Sequence, residues 1–402
     1  MKKYNAIDLF SGCGGLLEGF LKSGYVNHIA SVEWEKAPVA TLKKRLEDKW
    51  GYKDTEQSVI RFDVQRIDEL FDGFNDTNYG EHEGLSKLIG NRNIDIIIGG
   101  PPCQSYSVAG RIRDTNKMSG DYRNYLFEYY MKIVERLQPK MFIFENVPGM
   151  LSAMPDGTPI IDDITRAMNE KGYDIIDDVR GFALLDTSEY GIPQQRRRVI
   201  LLGLKRSEFS EHNTQQLLRK FYTYNLPKYK TRMVSVREAI SDLPPCYPLY
   251  NDTRPSHTVP DTKISWHYSR YHGLRDVKIF KMLAEDLQSE FPQFIKSEKL
   301  CEIYNEATGA DTKVHKYHVL RPDKPSTTIL AHLHKDGLRF IHYDPKQARS
   351  ITVREAARLQ TFDDDFDFVG SQGDAFKMIG NAVPPMFAAI LANALNDFLK
   401  EI

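Results

Sequence analysis

The chain has 402 residues, 41% hydrophobic and 27% charged, with a formal net charge of −1. That length suits two domains or one large domain with an insertion, and the composition is that of a globular chain with a large core rather than a fibrous or disordered one. Near-neutral charge excludes a globally basic nucleic-acid binder, but not a local basic cleft.

The four cysteines are Cys13, Cys103, Cys246 and Cys301. None sits in a C-x-x-C pair, which argues against a structural zinc site or a disulfide framework and suits a reducing cytoplasm. The N-terminus carries no signal-peptide core, and no stretch reads as a membrane span.

In chain order, Ala6 to Phe10 reads as a short strand and Ser11-Gly12-Cys13-Gly14-Gly15 as a glycine turn. Leu16, Leu17, Phe20 and Leu21 then recur at helical spacing. His28 to Glu33 reads as a second strand ending in an acid. Such units bind ribose hydroxyls through the acid and bring the backbone close to a ligand at the glycines. Gly12 and Gly14 fit G-x-G-x-x-G, but position 17 is leucine, so no pyrophosphate cradle is indicated. An adenosine-type ligand without a pyrophosphate is the better expectation.

Val59 to Val64 reads as a third strand containing Asp63, and residues 72–93 as a surface excursion. The run Ile94 to Ile98, broken only by Asp95, has the apolar continuity of a strand buried on both faces. Gly99-Gly100-Pro101-Pro102 stops it, and Cys103 follows. Two readings stand for this thiol: a nucleophile where open α/β sheets bind ligands, or a small buried hydrophobe. Residues 108–123 read as a lid beside it.

Leu126 to Leu137 forms an amphipathic helix pattern, and Met141 to Phe144 a buried strand leading into Glu145-Asn146-Val147. A helix is expected around Ile160 to Lys171, strand-like sequence from Tyr173 to Leu185, then a turn at Tyr190 to Pro193. Gln194-Gln195-Arg196-Arg197-Arg198 precedes the strand Val199 to Leu204. This alternation predicts an α/β fold, a Rossmann-like, doubly wound mixed sheet.

Residues 241–350 change character, with 16 Lys/Arg, 14 Asp/Glu and 8 of the 11 histidines. His267 to His272 and His315 to His318 interleave histidine with tyrosine, arginine and lysine. Contact with phosphates and bases, and a loop-rich surface domain, explain this equally well. His332 and His334 lack a partner set and read as surface residues; no metal is expected. A helix at Thr352 to Gln360, a turn at Gly380 to Pro385 and a last helix from Met386 to Leu399 complete the chain. The expected division is an α/β domain over 1–240, an irregular domain over 241–350, and returning helices over 351–402 that complete the first.

Cys103, Glu145 and the arginines after Pro193 all adjoin strand ends. A parallel sheet gathers them on one edge as nucleophile, acid and anion or carbonyl binders. Cationic neighbours also lower a thiol's pKa.

The ordered series Asp8-Leu9-Phe10-Ser11-Gly12-Cys13-Gly14-Gly15, Gly100-Pro101-Pro102-Cys103-Gln104, Glu145-Asn146-Val147, Gln194 to Arg198, Arg354 to Gln360 and Gly380 to Pro385 resembles the DNA (cytosine-5) methyltransferases of bacterial restriction-modification type. Tyr106 stands where many members have phenylalanine. The resemblance implies the fold of S-adenosylmethionine-dependent methyltransferases, with S-adenosylhomocysteine as product. It implies a covalent bond from Cys103 to C6 of a flipped-out cytosine. Glu145 would act at N3, and Arg196 and Arg198 would bind the base oxygen and orient Glu145 or Cys103.

Phe10, Gly12, Cys13, Gly14 and Gly15 would line the adenosine and methionine portions of the cofactor. Glu33 would bind the ribose, Trp34 stack on adenine, and Asp63, with Val64 beside it, reach the adenine amino group. Pro101 would lie against the cofactor and Asn381 return to its methionine side. The implied partner is double-stranded DNA, bound by a cytoplasmic, nucleoid-associated monomer, with a cognate restriction endonuclease or other defence protein acting on the same site. An RNA cytosine methyltransferase and a non-catalytic DNA-binding homologue are the alternatives.

Overall fold

The computed structural model describes residues 3–102, 126–154, 157–314 and 316–402. Cys103 and the expected lid over 108–123 lie outside the described residues. The chain divides into two compact units: Met1–Tyr190, Arg197–Thr231 and Val383–Ile402 form one, and Gly191–Arg196 with Arg232–Ala382 the other.

The first unit is built on a mixed sheet. Its strands are β1 (Tyr4–Leu9), β2 (Val26–Glu33), β3 (Val59–Arg61), β6 (Ile96–Gly99), β7 (Met141–Asn146), β8 (Tyr173–Asp174), β9 (Leu184–Asp186) and β10 (Arg197–Lys205). A separate hairpin pairs β4 (Phe74–Asp76) with β5 (Gly80–His82). The sheet runs β3-β2-β1-β6-β7-β10-β8, with β9 on β10. β3, β2, β1, β6 and β7 are parallel; β10 runs antiparallel to β7.

β6 is Ile-Ile-Ile-Gly and wholly buried, as expected of a central strand covered on both faces. The registers Leu9↔Gly99, Gly99↔Phe144 and Glu33↔Arg61 end these strands along one edge. Helix Gly15–Lys22 lies tight on the last helix, Pro385–Lys400. A Cβ at Gly19 would stand 2.3 Å from the Pro385 carbonyl oxygen, so only glycine permits that approach.

The second unit carries helices Leu274–Gln288, Ser297–Thr308, Val353–Leu359 and Gln372–Asn381. Its interior holds a buried bidentate pair: Arg349 Nη1 and Nη2 each donate to the Glu355 carboxylate at 2.7 Å. Burial pushes the Glu355 carboxyl up, but Arg349 outweighs it and leaves the group well below the carboxylate range.

Several expectations are corrected. Residues 72–93 contain the β4–β5 hairpin and helix Leu85–Ile89 rather than plain excursion. Residues 241–350 contain two regular helices; Val277, Phe280, Leu283 and Ala284 are the buried stripe of the first. The strand-like stretch from Tyr173 breaks into β8, a helical turn at Val179–Phe182, and β9.

The unit limits also differ from the expected domain limits. Residues 351–382 belong with the second unit, because Glu355 binds Arg349 and Arg354 donates to the carbonyls of Ser265, Asp363 and Phe366. Only the last helix returns to the sheet. That sequence region, Gln372–Lys400, is apolar enough to pass as a membrane span, with a mean hydropathy of 1.4. It is nonetheless interrupted at Ala382–Pro384, and 72% of its apolar window is buried within the protein.

Candidate active site at the carboxyl edge of the sheet

The glycine turn after β1 is shaped by backbone conformations that favour glycine. Gly12 and Gly14 have φ of +54° and +85°. Phe10 shares the left-handed region at +57°, an uncommon conformation for a residue with a side chain. A Cβ on Gly14 would reach 2.5 Å from Leu42 Cδ1, whereas the space beside Gly12 is open. Gly15 starts the following helix. Cys13 is buried, and burial pushes its thiol up to about 12, so it packs as a neutral group.

Glu33 ties this turn to the end of β2. Its Oε2 accepts from Gly12 N at 2.9 Å, and its Oε1 accepts from Trp34 N at 2.8 Å and Glu35 N at 2.9 Å. Burial nevertheless raises its pKa against those three donors. Asp8, inside β1, is buried with neither carboxylate oxygen hydrogen-bonded among the described residues. Burial first, and the charge of Glu33 second, hold its pKa well above the usual range.

Trp34 is 49% exposed, a large apolar residue left open to solvent. Asp63 follows β3, where its Oδ1 accepts from Gln65 N at 3.0 Å, and Val64 is buried beside it.

Where β7 ends and β10 begins, Glu145 and Arg198 form an ion pair, Nε to Oε1 at 2.8 Å, with both side chains largely buried. Burial lowers the Arg198 pKa, and Glu145 opposes that shift. The pairing Ile200↔Glu145 sets this contact, because β10 begins where β7 ends. A Cβ on Gly100 would lie 2.6 Å from Glu145 Oε2, so glycine there makes room for the carboxylate. Asn146 Nδ2 donates to the Pro101 carbonyl at 3.3 Å, and its Oδ1 accepts from Val147 N at 2.8 Å. The proline turn is thereby tied to the end of β7.

Within this unit the sheet edge therefore gathers Phe10, Gly12, Cys13, Gly14, Gly15, Glu33, Trp34, Asp63, Val64, Pro101, Glu145 and Arg198. Cys103 lies two residues beyond Pro101, outside the described residues. Asn381 and Arg196 belong to the second unit.

Arg196, expected at the base, is engaged within the second unit. It is buried, with Nη1 donating to the Ile329 carbonyl at 3.1 Å and Nη2 to those of Gly380 and Ala382 at 3.1 and 2.9 Å. Gln194 Nε2 donates to the Leu359 carbonyl, and Gln360 Nε2 to the carbonyls of Ile379 and Ala382. Three separated sequence motifs thus interlock through buried polar side chains.

The histidine-rich stretches are corrected likewise. His257, His267, His272 and His342 are buried and hydrogen-bonded, whereas His332 and His334 are exposed.

Asp8, Gly100 and Asn146 gained no role from the sequence beyond membership of a motif. An aspartate inside an otherwise apolar strand was the available signal for the first.

A mainly parallel sheet with buried acids, a glycine turn and a carboxylate–guanidinium pair at its carboxyl edge forms the ligand-binding edge of an open α/β enzyme fold. Residues 4–397 match the family described as C-5 cytosine-specific DNA methylase, and the chain belongs to that family. It is a DNA cytosine-5 methyltransferase.

The chain is 32% identical to the type II methyltransferase M.Bpa9945I of Bacillus paralicheniformis, covering 98% of this chain and 99% of that one. It is 30% identical to the type II methyltransferase M.DdeI of Desulfomicrobium norvegicum, covering 99% and 90%. The crystal structure of a protein assigned as a DNA modification methyltransferase encoded within an E. coli prophage shares the fold. Its TM-score is 0.65 at 24% identity, over 99% of this chain and 100% of that one.

Proposed function

We propose that the enzyme methylates C5 of a flipped-out cytosine within a short duplex DNA sequence, using S-adenosylmethionine, as the modification partner in a restriction-modification system. The type II methyltransferase names of its relatives support the last part.

The residues present fit the cofactor. Asp8 and Glu33 are buried acids beside a glycine turn that is open at Gly12, and Trp34 offers an exposed flat ring. That set suits a ligand carrying positive charge, ribose hydroxyls and a planar base. Glu33 would take the hydroxyls, Trp34 the adenine face, Asp63 the adenine amino group, and Asp8 the cationic end. When bound, S-adenosylmethionine supplies a methyl group on a sulfonium.

Cytosine C5 is a poor nucleophile. The thiolate of Cys103 adds to C6, and the electron pair released from the C5–C6 double bond makes C5 nucleophilic. Glu145 in its protonated form holds N3 and gives it that proton, which lowers the barrier to the addition and leaves Glu145 as the carboxylate. Arg198 fixes the Glu145 carboxylate. After methylation, the C5 proton passes to solvent water, the Cys103 thiolate is expelled and N3 returns its proton to Glu145, which restores the ring. Arg196 holds its turn in place rather than touching the base. A base inside a duplex is out of reach, so the nucleotide must be extruded.

The observation that carries this reading is the Glu145–Arg198 pair seated against Gly100, which precedes Cys103 by three residues in the sequence. Incubation with cofactor labelled in its methyl group and either duplex DNA or transfer RNA tests it. Label is expected in DNA, and Cys103→Ala is expected to abolish transfer. Label in RNA alone, or normal transfer by that variant, overturns it.

A further inference from the structure

Trp34 is half exposed, yet both polar groups of its backbone are held by charged side chains. Its N–H donates to Glu33 Oε1 at 2.8 Å, and its carbonyl accepts from Arg61 Nε at 3.2 Å. Water can serve a carbonyl at the surface, so burial does not demand the second bond. Arg61 closes β3, opposite Glu33 in the parallel register. Its Nη1 donates to the carbonyl of Asn78, in the turn of the β4–β5 hairpin. Its guanidinium carbon stands 5.1 Å from the centre of the Tyr79 ring. One side chain therefore spans from the residue after β2 to the hairpin turn. A guanidinium suits that task, because its donors form a rigid planar fork.

The hairpin is itself a firm support. The Phe74 ring stacks on Phe62 with 3.9 Å between centres, and Tyr79 meets Phe62 edge-on at 5.1 Å. Asp76 Oδ1 accepts from Asn78 N at 2.7 Å and Tyr79 N at 3.2 Å, which shapes the turn. Asp76 Oδ2 accepts from Arg66 Nη1 at 2.7 Å. Phe62 is fully buried, and its N–H donates to the Glu33 carbonyl at 3.0 Å. The hairpin is thus anchored on the residue between Arg61 and Asp63.

We propose that Arg61 is a positioning residue for the cofactor, tying the Trp34 backbone to the hairpin so that its ring is already placed when the ligand binds. The inference rests on the function proposed above, in which Trp34 stacks on adenine, and adds what holds that residue. Without the tie, Trp34 must be ordered at each binding event, and that ordering weakens affinity.

The test measures binding of S-adenosylhomocysteine to the full chain by calorimetry, which needs no turnover. Arg61→Met should weaken binding between about two- and tenfold, the cost of ordering one side chain. Arg61→Lys keeps the charge and can bond one carbonyl at a time, so it should recover part of the loss. If circular dichroism shows Arg61→Met unfolded, Arg61→Lys carries the test, with a loss of about twofold expected and no loss overturning the proposal. Arg66→Met removes the hairpin's other guanidinium, whose bonds go to Glu69 and Asp76. It should lower the urea midpoint and leave affinity unchanged. In a Trp34→Ala background, Arg61→Met should cause no further loss, because the residue it positions is gone.

Unchanged affinity in folded Arg61→Met overturns the proposal. So does an equal loss in Arg66→Met, or the full loss when Trp34 is already removed. Failure of the underlying reading looks different and takes the proposal with it: the wild type then binds no S-adenosylhomocysteine, or Trp34→Ala binds it as tightly as the wild type.

Discussion

Removing Arg198 tests whether the Glu145 pair is a built element of the site. The guanidinium and carboxylate are 2.8 Å apart, with side chains only 11% and 12% exposed. Breaking a buried pair from one side leaves the other charge desolvated, at a cost of about 3–5 kcal/mol. The slight exposure here points to the lower end, about 3 kcal/mol. In Arg198→Met, Glu145 would lose its charged partner while Gly100 still presses on the carboxylate. Glu145→Gln in the same background should recover about half of the loss, because an amide carries no charge to desolvate. Urea unfolding of the wild type, both single variants and the double variant, at pH 7.5, measures the coupling. A cost below about 1 kcal/mol for Arg198→Met, or strict additivity, would show a solvent-screened pair and refute the reasoning.

Gly100→Ala places a Cβ 2.6 Å from Glu145 Oε2. It should cost about 1–3 kcal/mol of stability, as overpacking does, and reduce kcat more than substrate affinity; unfolding and steady-state kinetics check both. Trp34→Ala should raise the KM for S-adenosylmethionine by roughly tenfold, about 1.4 kcal/mol of lost stacking, with little change in the unfolding midpoint since the indole is half exposed. His28 and His342 are buried, with pKa values lowered by burial from 6.5 to about 4. Between those values the unfolded chain binds more protons than the native one, so stability should fall as pH drops from 6.5 toward 4, by about 2 kcal/mol per histidine at pH 5. Urea midpoints at pH 7.5 and 5 measure this, and His342→Gln should flatten the dependence.

The carboxyl edge of the sheet was legible because its punctuation is local. Glycines and prolines end β6, an acid ends β2, and the parallel order of the strands then aligns Glu33, Gly100 and Glu145 without further information. The arginines were not separable in this way. Arg196 and Arg198 are the same residue type two positions apart, and only long-range partners distinguish them: the carbonyls of Ile329, Gly380 and Ala382 for one, Glu145 for the other.

Burial of the histidines has the same origin. His267 lies between the Thr352 hydroxyl and the Pro244 carbonyl, partners 85 and 23 residues away that composition does not encode. The helix Leu274–Gln288 was readable from its stripe of Val277, Phe280, Leu283 and Ala284, but irregular sequence on either side obscured it. Unit limits escaped because the second unit borrows six residues from the turn at 191–196 and extends to Ala382.

The central claim is covalent catalysis by the thiol that follows the proline turn. A duplex carrying 5-fluorocytosine at the target position should trap the enzyme after methyl transfer, because the fluorine at C5 cannot leave as a proton does. Denaturing electrophoresis and peptide mass spectrometry should find one duplex per chain, attached at Cys103, and none with Cys103→Ala. Methylation of the unsubstituted duplex with no adduct on the fluorinated one, or an adduct at Cys13, Cys246 or Cys301, would contradict the account.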